Sequence, residues 1–255
     1  MMTKVAKWVV ILGSIAVACF VFCEAHYEVP VLMYHNVGRS EDASNNHVTA
    51  ETFERQMEFL KVHRYRVMPL ADLMDLIKSG EKIPANTVAI TFDDGYLDNF
   101  ENAFPILKKM GFKATIFMIT RNIGEEEFLS EEDLKILDGA GITIGSHTVN
   151  HAYLPEMKLE DVLFELKQSR NRLEKILGHP VFLFSYPAGG FTEEIRSLVA
   201  QEGYQGAVTT YRGRRKHDPY ALKRIKVTEA GGSLFNFWAK TSGLYYLGKS
   251  EKKPA

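Results

Sequence analysis

The sequence predicts an α/β fold, a single (β/α) barrel of about seven strand–helix units. Short apolar, β-rich runs alternate with longer amphipathic segments, which is typical of βα units and a mostly parallel sheet. The chain has 255 residues, and one barrel domain takes about 250 residues. Polar clusters follow several of the apolar runs, as in barrels whose reactive groups lie at the carboxyl ends of the strands.

Hydrophobic periodicity and helix-ending residues define the individual elements. The predicted strands are Val29–Tyr34, Val88–Phe92, Ala114–Ile119, Ile142–Gly145, Val181–Tyr186, Gly206–Thr209 and Ile225–Val227. The predicted helices are Thr52–His63, Ala71–Lys78, Asp98–Met110, Glu131–Ala140, Leu159–Leu177 and Glu193–Glu202. Ser130 is placed to cap the helix that begins at Glu131, and Gly111 and Gly178 lie where helices should end.

Composition narrows the class of protein. The chain is 45% hydrophobic and 25% charged, as in an ordinary globular protein. Its formal net charge of -1 argues against a dedicated nucleic-acid-binding protein. The only cysteines, Cys19 and Cys23, lie near the N-terminus, so no disulfide or zinc–thiolate site can form in the chain that follows them.

The N-terminal segment resembles an export signal. Lys4 and Lys7 precede the uncharged run Trp8–Cys23, and this order predicts a signal peptide over residues 1–25 with cleavage after Ala25. An uncleaved membrane anchor, a lipoprotein signal at one of the cysteines and a buried core helix are the alternatives. Except in the last case, the chain works outside the cytoplasm, whether secreted, periplasmic or membrane-anchored.

The rest of the chain divides into a catalytic domain over residues 26–233 and a C-terminal segment over residues 234–255. The C-terminal segment is rich in aromatic residues and ends in a polar tail. We expect its aromatic side chains to pack against the barrel; stacking on sugar rings and a membrane- or partner-facing patch are the alternatives. These side chains are Phe235, Phe237, Trp238, Tyr245 and Tyr246.

Two polar clusters suggest a metal site. The segment TFDDGY places Asp93 and Asp94 directly after a predicted strand, where adjacent carboxylates repel each other unless a cation or a proton intervenes. The segment SHTVNH places His147 and His151 four residues apart, so one helical turn would present both imidazoles on one face. Two histidines and one carboxylate form a three-ligand divalent site with an open position. An ordinary turn and unrelated surface histidines are the alternatives.

A third cluster, FSYPAGG, follows the strand that begins at Val181. Pro187 fixes a turn, and the small Ala188 and the glycines leave backbone N–H groups free to face a ligand. The alternative is a plain glycine turn.

These three clusters, in this order, resemble the polysaccharide deacetylases of carbohydrate esterase family 4. The resemblance covers about residues 29–228 and implies a distorted (β/α) barrel that removes N-acetyl groups from sugars with a divalent cation, Zn²⁺ first and Co²⁺ or Ni²⁺ as alternatives. By this resemblance Asp93 is the general base, and the N–H of Ala188 contributes to the oxyanion hole. The metal ligands are Asp94, His147 and His151, and the residues expected to bind substrate are Tyr186, Pro187 and Gly189.

The sequence departs from the family pattern at two places. The third motif usually begins with an arginine that pairs with the catalytic aspartate, and here Ser185 holds that place, which suggests a loosely held Asp93. The C-terminal histidine that usually serves as general acid is also missing, because His217 lies in a basic loop. His35 follows the apolar strand of VPVLMYHNV. This resembles the branch with permuted motif order that deacetylates poly-N-acetylglucosamine, so His35 is the predicted acid; a structural role beside Tyr34 is its alternative.

The sequence therefore predicts a metal-dependent N-deacetylase acting on an N-acetylglucosamine-containing polysaccharide, with an exopolysaccharide favoured. Peptidoglycan, chitin oligomers or a lipid-linked sugar are the alternative substrates. A catalytically silent carbohydrate-binding protein of the same fold is the non-enzyme alternative. For catalysis we expect His147 and His151 to be neutral and His35 to be protonated. The sequence leaves the oligomeric state open.

Overall fold

A layer of parallel strands surrounded by helices forms the body of the protein. The computed structural model describes residues 26–38, 46–211 and 218–249, together with residues 8, 11–15, 17–18 and 21–22. Its strands are β1 Val31–Tyr34, β2 Asn36–Val37, β3 His47–Val48, β4 Arg66–Val67, β5 Thr87–Phe92, β6 Thr115–Met118, β7 Thr143–Ser146, β8 Leu183–Ser185, β9 Gly206–Thr209, β10 Leu222–Lys223 and β11 Ile225–Lys226. Its α-helices are α1 Ala50–Val62, α2 Leu70–Ser79, α3 Phe104–Met110, α4 Glu131–Gly139, α5 Leu159–Leu177, α6 Glu193–Gln201 and α7 Leu234–Thr241.

The main sheet is nearly closed into a barrel. Its strand order is β10-β9-β8-β7-β6-β5-β1-β11, and β4 pairs with β5. The two outermost strands are consecutive in the chain: Leu222 of β10 pairs with Val208 of β9, and Ile225 of β11 pairs with Leu32 of β1. The segment from β10 to β11 therefore joins both ends of the sheet, with Arg224 at the junction. The predicted barrel fold is confirmed.

The strands could be predicted because they are buried on both faces. All four residues of β1 and all six of β5 are buried, and strands enclosed by helices form continuous apolar runs. Several helices also begin or end at the capping residues that the sequence predicts. Ser130 and Asp133 form a capping box at α4, and Gly111 and Gly178 end α3 and α5 in the left-handed conformation.

The predicted helix Asp98–Met110 is divided in the structure. A π-helical turn covers Asn99–Ala103, and α3 begins at Phe104. Pro105 has no N–H, so it cannot donate to the carbonyl one turn earlier, and the regular ladder stops there. The short strands β2, β3, β4 and β10 and the helix α7 were not predicted.

The C-terminal segment packs on the barrel through α7. Phe237 is fully buried, and its ring meets Phe59 of α1 edge to face at 5.7 Å. Burying a phenylalanine contributes about 2–3 kcal/mol. Phe235 and Trp238 lie exposed on the same helix. The predicted packing of the aromatic segment against the barrel therefore applies to Phe237 but not to these two residues.

The predictions for the N-terminal segment fall largely outside the described residues. Lys4, Lys7, Cys19, Cys23 and Ala25 lie there, as do His217 and the basic run before it. Among the residues that the structure describes, we find no helix with the length and apolar character of a membrane span.

Candidate active site

A sharp turn after β5 brings Asp93 and Asp94 to the carboxyl end of the sheet. The N–H of Asp93 donates to the carbonyl of Tyr34 at 3.0 Å. Asp94 and Gly95 then take left-handed conformations with φ of 72° and 79°. A Cβ on Gly95 would lie 2.0 Å from Sδ of Met118, so only glycine fits. Both carboxylates consequently line one cavity.

The histidine pair follows β7 in a turn, not in the helical turn predicted from its spacing. Thr148 and His151 have φ of 68° and 55°, and this left-handed backbone brings the two imidazole centroids to 4.8 Å. The buried Glu165 of α5 holds the turn. Its carboxylate accepts bonds from the N–H of Val149 at 2.7 Å, the N–H of Asn150 at 3.0 Å and Nδ2 of Asn150 at 2.6 Å.

The Asp94, His147 and His151 side chains fit a divalent cation. Oδ1 of Asp94 lies 3.5 Å from Nε2 of His147 and 3.6 Å from Nε2 of His151. These distances are close to the separation of about 3.3–3.5 Å between tetrahedral ligands that each lie about 2.0–2.2 Å from a metal. Oδ1 is buried without a hydrogen-bond partner, and such an atom is normally satisfied. A cation at this point would satisfy it.

A backbone hydrogen bond sets the tautomer of His147, and burial favours its neutral form. Nδ1 of His147 donates to the carbonyl of Ser185 at 2.8 Å, because a carbonyl can only accept. The lone pair of Nε2 therefore faces Asp94, as a ligand requires. Burial lowers the pKa of His147 to about 4 and also lowers the pKa of His151. Burial raises the pKa of Asp94 to about 6.

Asp93 is held by Arg224, a residue that the sequence motifs did not reveal. Nη1 and Nη2 of Arg224 donate to Oδ1 and Oδ2 of Asp93, each at 2.6 Å. Nη2 also donates to Oγ of Ser185 at 2.9 Å. Burial raises the pKa of Asp93, but the charge and the hydrogen bonds of Arg224 outweigh it and hold the pKa well below its usual range. The expectation of a loosely held Asp93 is therefore wrong.

His35 lies on the cavity wall directly after β1, where the sequence placed it. Its Nδ1 is buried without a hydrogen-bond partner, and its carbonyl accepts from Nδ2 of Asn99 at 2.8 Å. Burial lowers the pKa of His35, although Asp93 and Asp94 oppose this effect. The expected contrast between a protonated His35 and two neutral ligands is thus not present, because all three imidazoles favour the neutral form.

Of the predicted substrate loop, Ala188 lines the cavity. It has a left-handed φ of 51°, and its carbonyl accepts from Oγ1 of Thr210 at 3.0 Å. The side chain of Tyr186 points the other way: it is fully buried in the core, and its hydroxyl donates to the carbonyl of Tyr220. The Tyr186 side chain therefore does not line the cavity, and substrate binding by this residue stays a prediction. Pro187 and Gly189 are buried residues that shape the turn.

The cavity has a volume of about 430 Å³. Besides the predicted residues, its wall contains residues from β1, from the chain before β3 and after β9, from the barrel-closing segment and from the chain after α7. These residues are Met33, Asn46, Thr210, Arg224, Ile225, Lys226, Tyr245 and Tyr246. Tyr245 and Tyr246 thus line the cavity, and stacking on sugar rings is one of the alternatives that the sequence offers for them.

Comparison with known proteins identifies similar sequences. A family model described as Polysaccharide deacetylase matches residues 80–207. YxkH of Bacillus subtilis (strain 168), which is named as a polysaccharide deacetylase, is 34% identical over 217 residues, covering 84% of this chain and 77% of YxkH. The poly-β-1,6-N-acetyl-D-glucosamine N-deacetylase of Staphylococcus aureus (strain MRSA252) is 29% identical over 178 residues. That alignment spans 64% of this chain and 61% of the staphylococcal enzyme, less than two thirds of its length.

A solved structure shares the fold. The deacetylase PplD of Streptococcus pyogenes, in complex with acetate, superposes with a TM-score of 0.78 and 26% sequence identity. The superposition covers 84% of this chain and 98% of PplD.

Proposed function

Since this chain belongs to the polysaccharide deacetylase family, we propose that it removes N-acetyl groups from a polysaccharide that contains N-acetylglucosamine, with an extracellular polymer as the first candidate. The observation that carries this proposal is the meeting of two units in one cavity. One unit is a group of three side chains that could hold a cation, called here the three-residue cation site, and the other is a carboxylate kept ionised by a buried arginine. The staphylococcal relative, named for poly-β-1,6-N-acetyl-D-glucosamine, supports the choice of polymer.

Asp94, His147 and His151 would hold a divalent cation, with Zn²⁺ first and Co²⁺ or Ni²⁺ as alternatives. When bound, such a cation lowers the pKa of a water ligand and polarises a carbonyl. The protein prepares the site in advance: the Ser185 carbonyl fixes the tautomer of His147, and Glu165 fixes the turn between the two histidines. Preorganised ligands of this kind typically raise metal affinity about 10–100-fold.

Asp93 acts as general base in this proposal. Arg224 keeps its carboxylate ionised at neutral pH, so it can accept a proton from the attacking water. Ala188 supplies a backbone N–H to the oxygen that becomes negative during attack, and loss of one such donor typically slows a reaction about 10²–10³-fold.

We assign proton delivery to the leaving nitrogen to His35. It is the cavity imidazole outside the three-residue cation site. Because burial favours its neutral form, it must first take up a proton from solvent water and then donate that proton to the leaving nitrogen. Return of the proton by Asp93 itself is the competing route, and a His35 variant separates the two routes.

Acetate release from N-acetylglucosamine oligomers of increasing length, linked β-1,6 or β-1,4, tests the proposal. The enzyme is assayed after chelation and again after addition of Zn²⁺, Co²⁺ or Ni²⁺. We expect no release after chelation and recovery with at least one metal. Asp93→Asn should bind metal without releasing acetate. Absence of release from every polymer with every metal would overturn the deacetylase proposal.

Peptidoglycan and lipid-linked sugars, which the same chemistry could deacetylate, are assayed in parallel. The rival proposal, a silent carbohydrate-binding protein, drew its sequence support from the missing arginine at Ser185. Arg224 removes that support, because it makes a two-bond contact with Asp93.

We further propose that the protein works outside the cytoplasm, on the basis of Lys4, Lys7 and the apolar run that follows them. Cell fractionation with N-terminal sequencing tests this and separates cleavage after Ala25 from an intact anchor. A full-length chain in the cytosolic fraction would contradict it.

A further inference from the structure

Two tyrosines from the C-terminal segment complete the cavity. Tyr245 and Tyr246 follow α7 and line the same cavity as the Asp93 carboxylate and the three-residue cation site. They lie beyond residues 80–207, the part of the chain that the family model matches. Their rings meet at 71° with centroids 5.4 Å apart, so they form an angled aromatic surface, called here the tyrosine wall.

The tyrosine wall is fixed to the barrel-closing strand segment. The hydroxyl of Tyr246 donates to the carbonyl of Arg224 at 2.7 Å. Nζ of the buried Lys240 on α7 donates to the carbonyl of Lys226 at 2.9 Å. Phe237 anchors the helix that precedes the wall in the core. A binding surface held in this way loses little conformational freedom when a ligand binds.

The chemistry of the wall suits a sugar ring. Tyrosine has a flat apolar face and a polar hydroxyl, so it favours ligands that are apolar on one side and wet on the other. A pyranose is such a ligand, because its C–H groups form apolar faces and its hydroxyl groups form a polar rim. In the proposed function the two carboxylates and the histidines of the cavity act at the acetamide group, so the wall is the aromatic part of the cavity that is left for the remainder of a polymer.

Positive charges around the wall select among sugars. Lys226 lines the same cavity, and Lys249 lies over the ring of Tyr245. Lys223 lies 5.4 Å from the centroid of Tyr246, but its charge is balanced by Glu28 at 3.3 Å, so Lys226 and Lys249 carry the argument. An acetylated sugar is neutral, whereas a deacetylated amino sugar carries a positive charge when protonated. Like charges repel even at the surface, although salt screens the effect. The surroundings of the wall therefore favour acetylated sugar residues.

From these observations we propose that Tyr245 and Tyr246 bind the acetylated sugar residue next to the one that is deacetylated. This inference rests on the proposed function and extends it: the enzyme recognises at least two consecutive N-acetylated sugars. It follows that oligomers bind better than the single sugar and that the C-terminal segment determines this preference.

Calorimetric titration of the chelated full chain with N-acetylglucosamine, its pentamer and a glucosamine pentamer tests the wall without turnover. Tyr245→Ala should weaken binding of the acetylated pentamer about ten-fold, the equivalent of losing one aromatic contact, and should leave binding of the single sugar unchanged. Tyr245→Phe keeps the ring and should recover most of this loss. The wild-type chain should bind the glucosamine pentamer more weakly than the acetylated one.

Trp238→Ala is the matched control, since Trp238 is an exposed aromatic residue of the same segment and is absent from the cavity wall. Tyr245→Leu replaces Tyr245→Ala if the alanine variant fails to fold, as judged by circular dichroism. Pentamer binding that is unchanged in the Tyr245 variant, or reduced equally in the Trp238 variant, would overturn the inference.

Acetate release by the metal-loaded wild-type chain separates the two proposals. If acetate is released while the Tyr245 variant binds the pentamer normally, the tyrosine wall is wrong and the deacetylase proposal stands. If no acetate is released while pentamer binding still depends on Tyr245, the deacetylase proposal is wrong and the wall remains a sugar-binding site.

Discussion

Replacing Arg224 by methionine tests the arrangement on which the proposed chemistry depends. The Arg224 side chain is fully buried, and Asp93 is nearly so. Removing one partner of a buried ion pair typically costs about 3–5 kcal/mol, because the other charge is left uncompensated. The loss of two bonds of 2.6 Å places Arg224→Met in that range. We therefore expect the free energy of unfolding at pH 7 to fall by about 4 kcal/mol.

The stability lost in Arg224→Met should be larger at neutral pH than at acidic pH. In the wild-type chain the pKa of Asp93 is lowered on folding, so this group stabilises the fold above its unfolded pKa of about 3.9 and loses that effect as the pH falls toward its folded value. In Arg224→Met burial raises the pKa of Asp93 instead. The stability difference should therefore be largest above about pH 5 and shrink below about pH 4.

Urea denaturation of chelated protein between pH 3.5 and 8 measures the stability difference, and the pH dependence of acetate release measures the ionisation of Asp93. The acidic limb of the activity profile should move to higher pH in Arg224→Met. Ser185→Arg combined with Arg224→Ser moves the guanidinium to the position beside Asp93, since Oγ of Ser185 lies 3.5 Å from its Oδ2. A stability loss below about 1 kcal/mol with an unmoved acidic limb would refute the argument, because surface ion pairs contribute no more than that.

Three further predictions concern the histidines and their support. Glu165→Gln should weaken metal binding about 10–100-fold, measured by competition with a chromophoric chelator, while Glu160→Gln on the exposed side of the same helix should not; equal affinities would argue against a positioning role. His35→Gln should lower kcat by about 10²-fold or more and leave the bound metal at one equivalent, and an unchanged kcat would return proton delivery to Asp93. Because burial lowers the pKa of His147 to about 4, the chelated chain should lose stability as the pH falls from about 6.5 toward 4, and His147→Gln should reduce that slope in thermal denaturation; an unchanged slope would assign the effect to other groups.

The sequence predicted the barrel because its strands have a strong physical signature. Buried parallel strands are continuous apolar runs, and Asp93, Asp94, His147 and His35 each follow such a run closely. These placements need only the rule that strand ends meet on one face of the barrel. Among these residues, the side chains that commonly bind divalent metals then identify Asp94, His147 and His151 as the candidate ligands.

Arg224 escaped the sequence interpretation for a topological reason. It lies 131 residues from Asp93 in the chain, and it occupies the junction between two strands of two residues each. Such short strands carry little hydrophobic pattern, so nothing in the local sequence marks Arg224 as buried. The sequence shows only an arginine between the apolar residues Leu222 and Ile225. Its position beside Asp93 becomes evident only when the barrel closes. The inward direction of the Tyr186 side chain was hidden for a related reason: alternation along a strand end decides which face a side chain takes, and the exact end of β8 is not visible in the sequence.

Backbone strain is concentrated where the chemistry is proposed. Among the described residues, six non-glycine residues have a left-handed backbone, and Asp94, Thr148, His151 and Ala188 are four of them. Each such conformation costs on the order of 1–3 kcal/mol and persists only where its surroundings enforce it. Here the enforcing contacts are visible: Glu165 holds the histidine turn, and Thr210 holds the carbonyl of Ala188. The spacing of His147 and His151 suggested a helix because residues four apart share one face of an α-helix, which is an unstrained backbone. The structure uses a less favourable backbone, because only that conformation directs both imidazoles at Asp94.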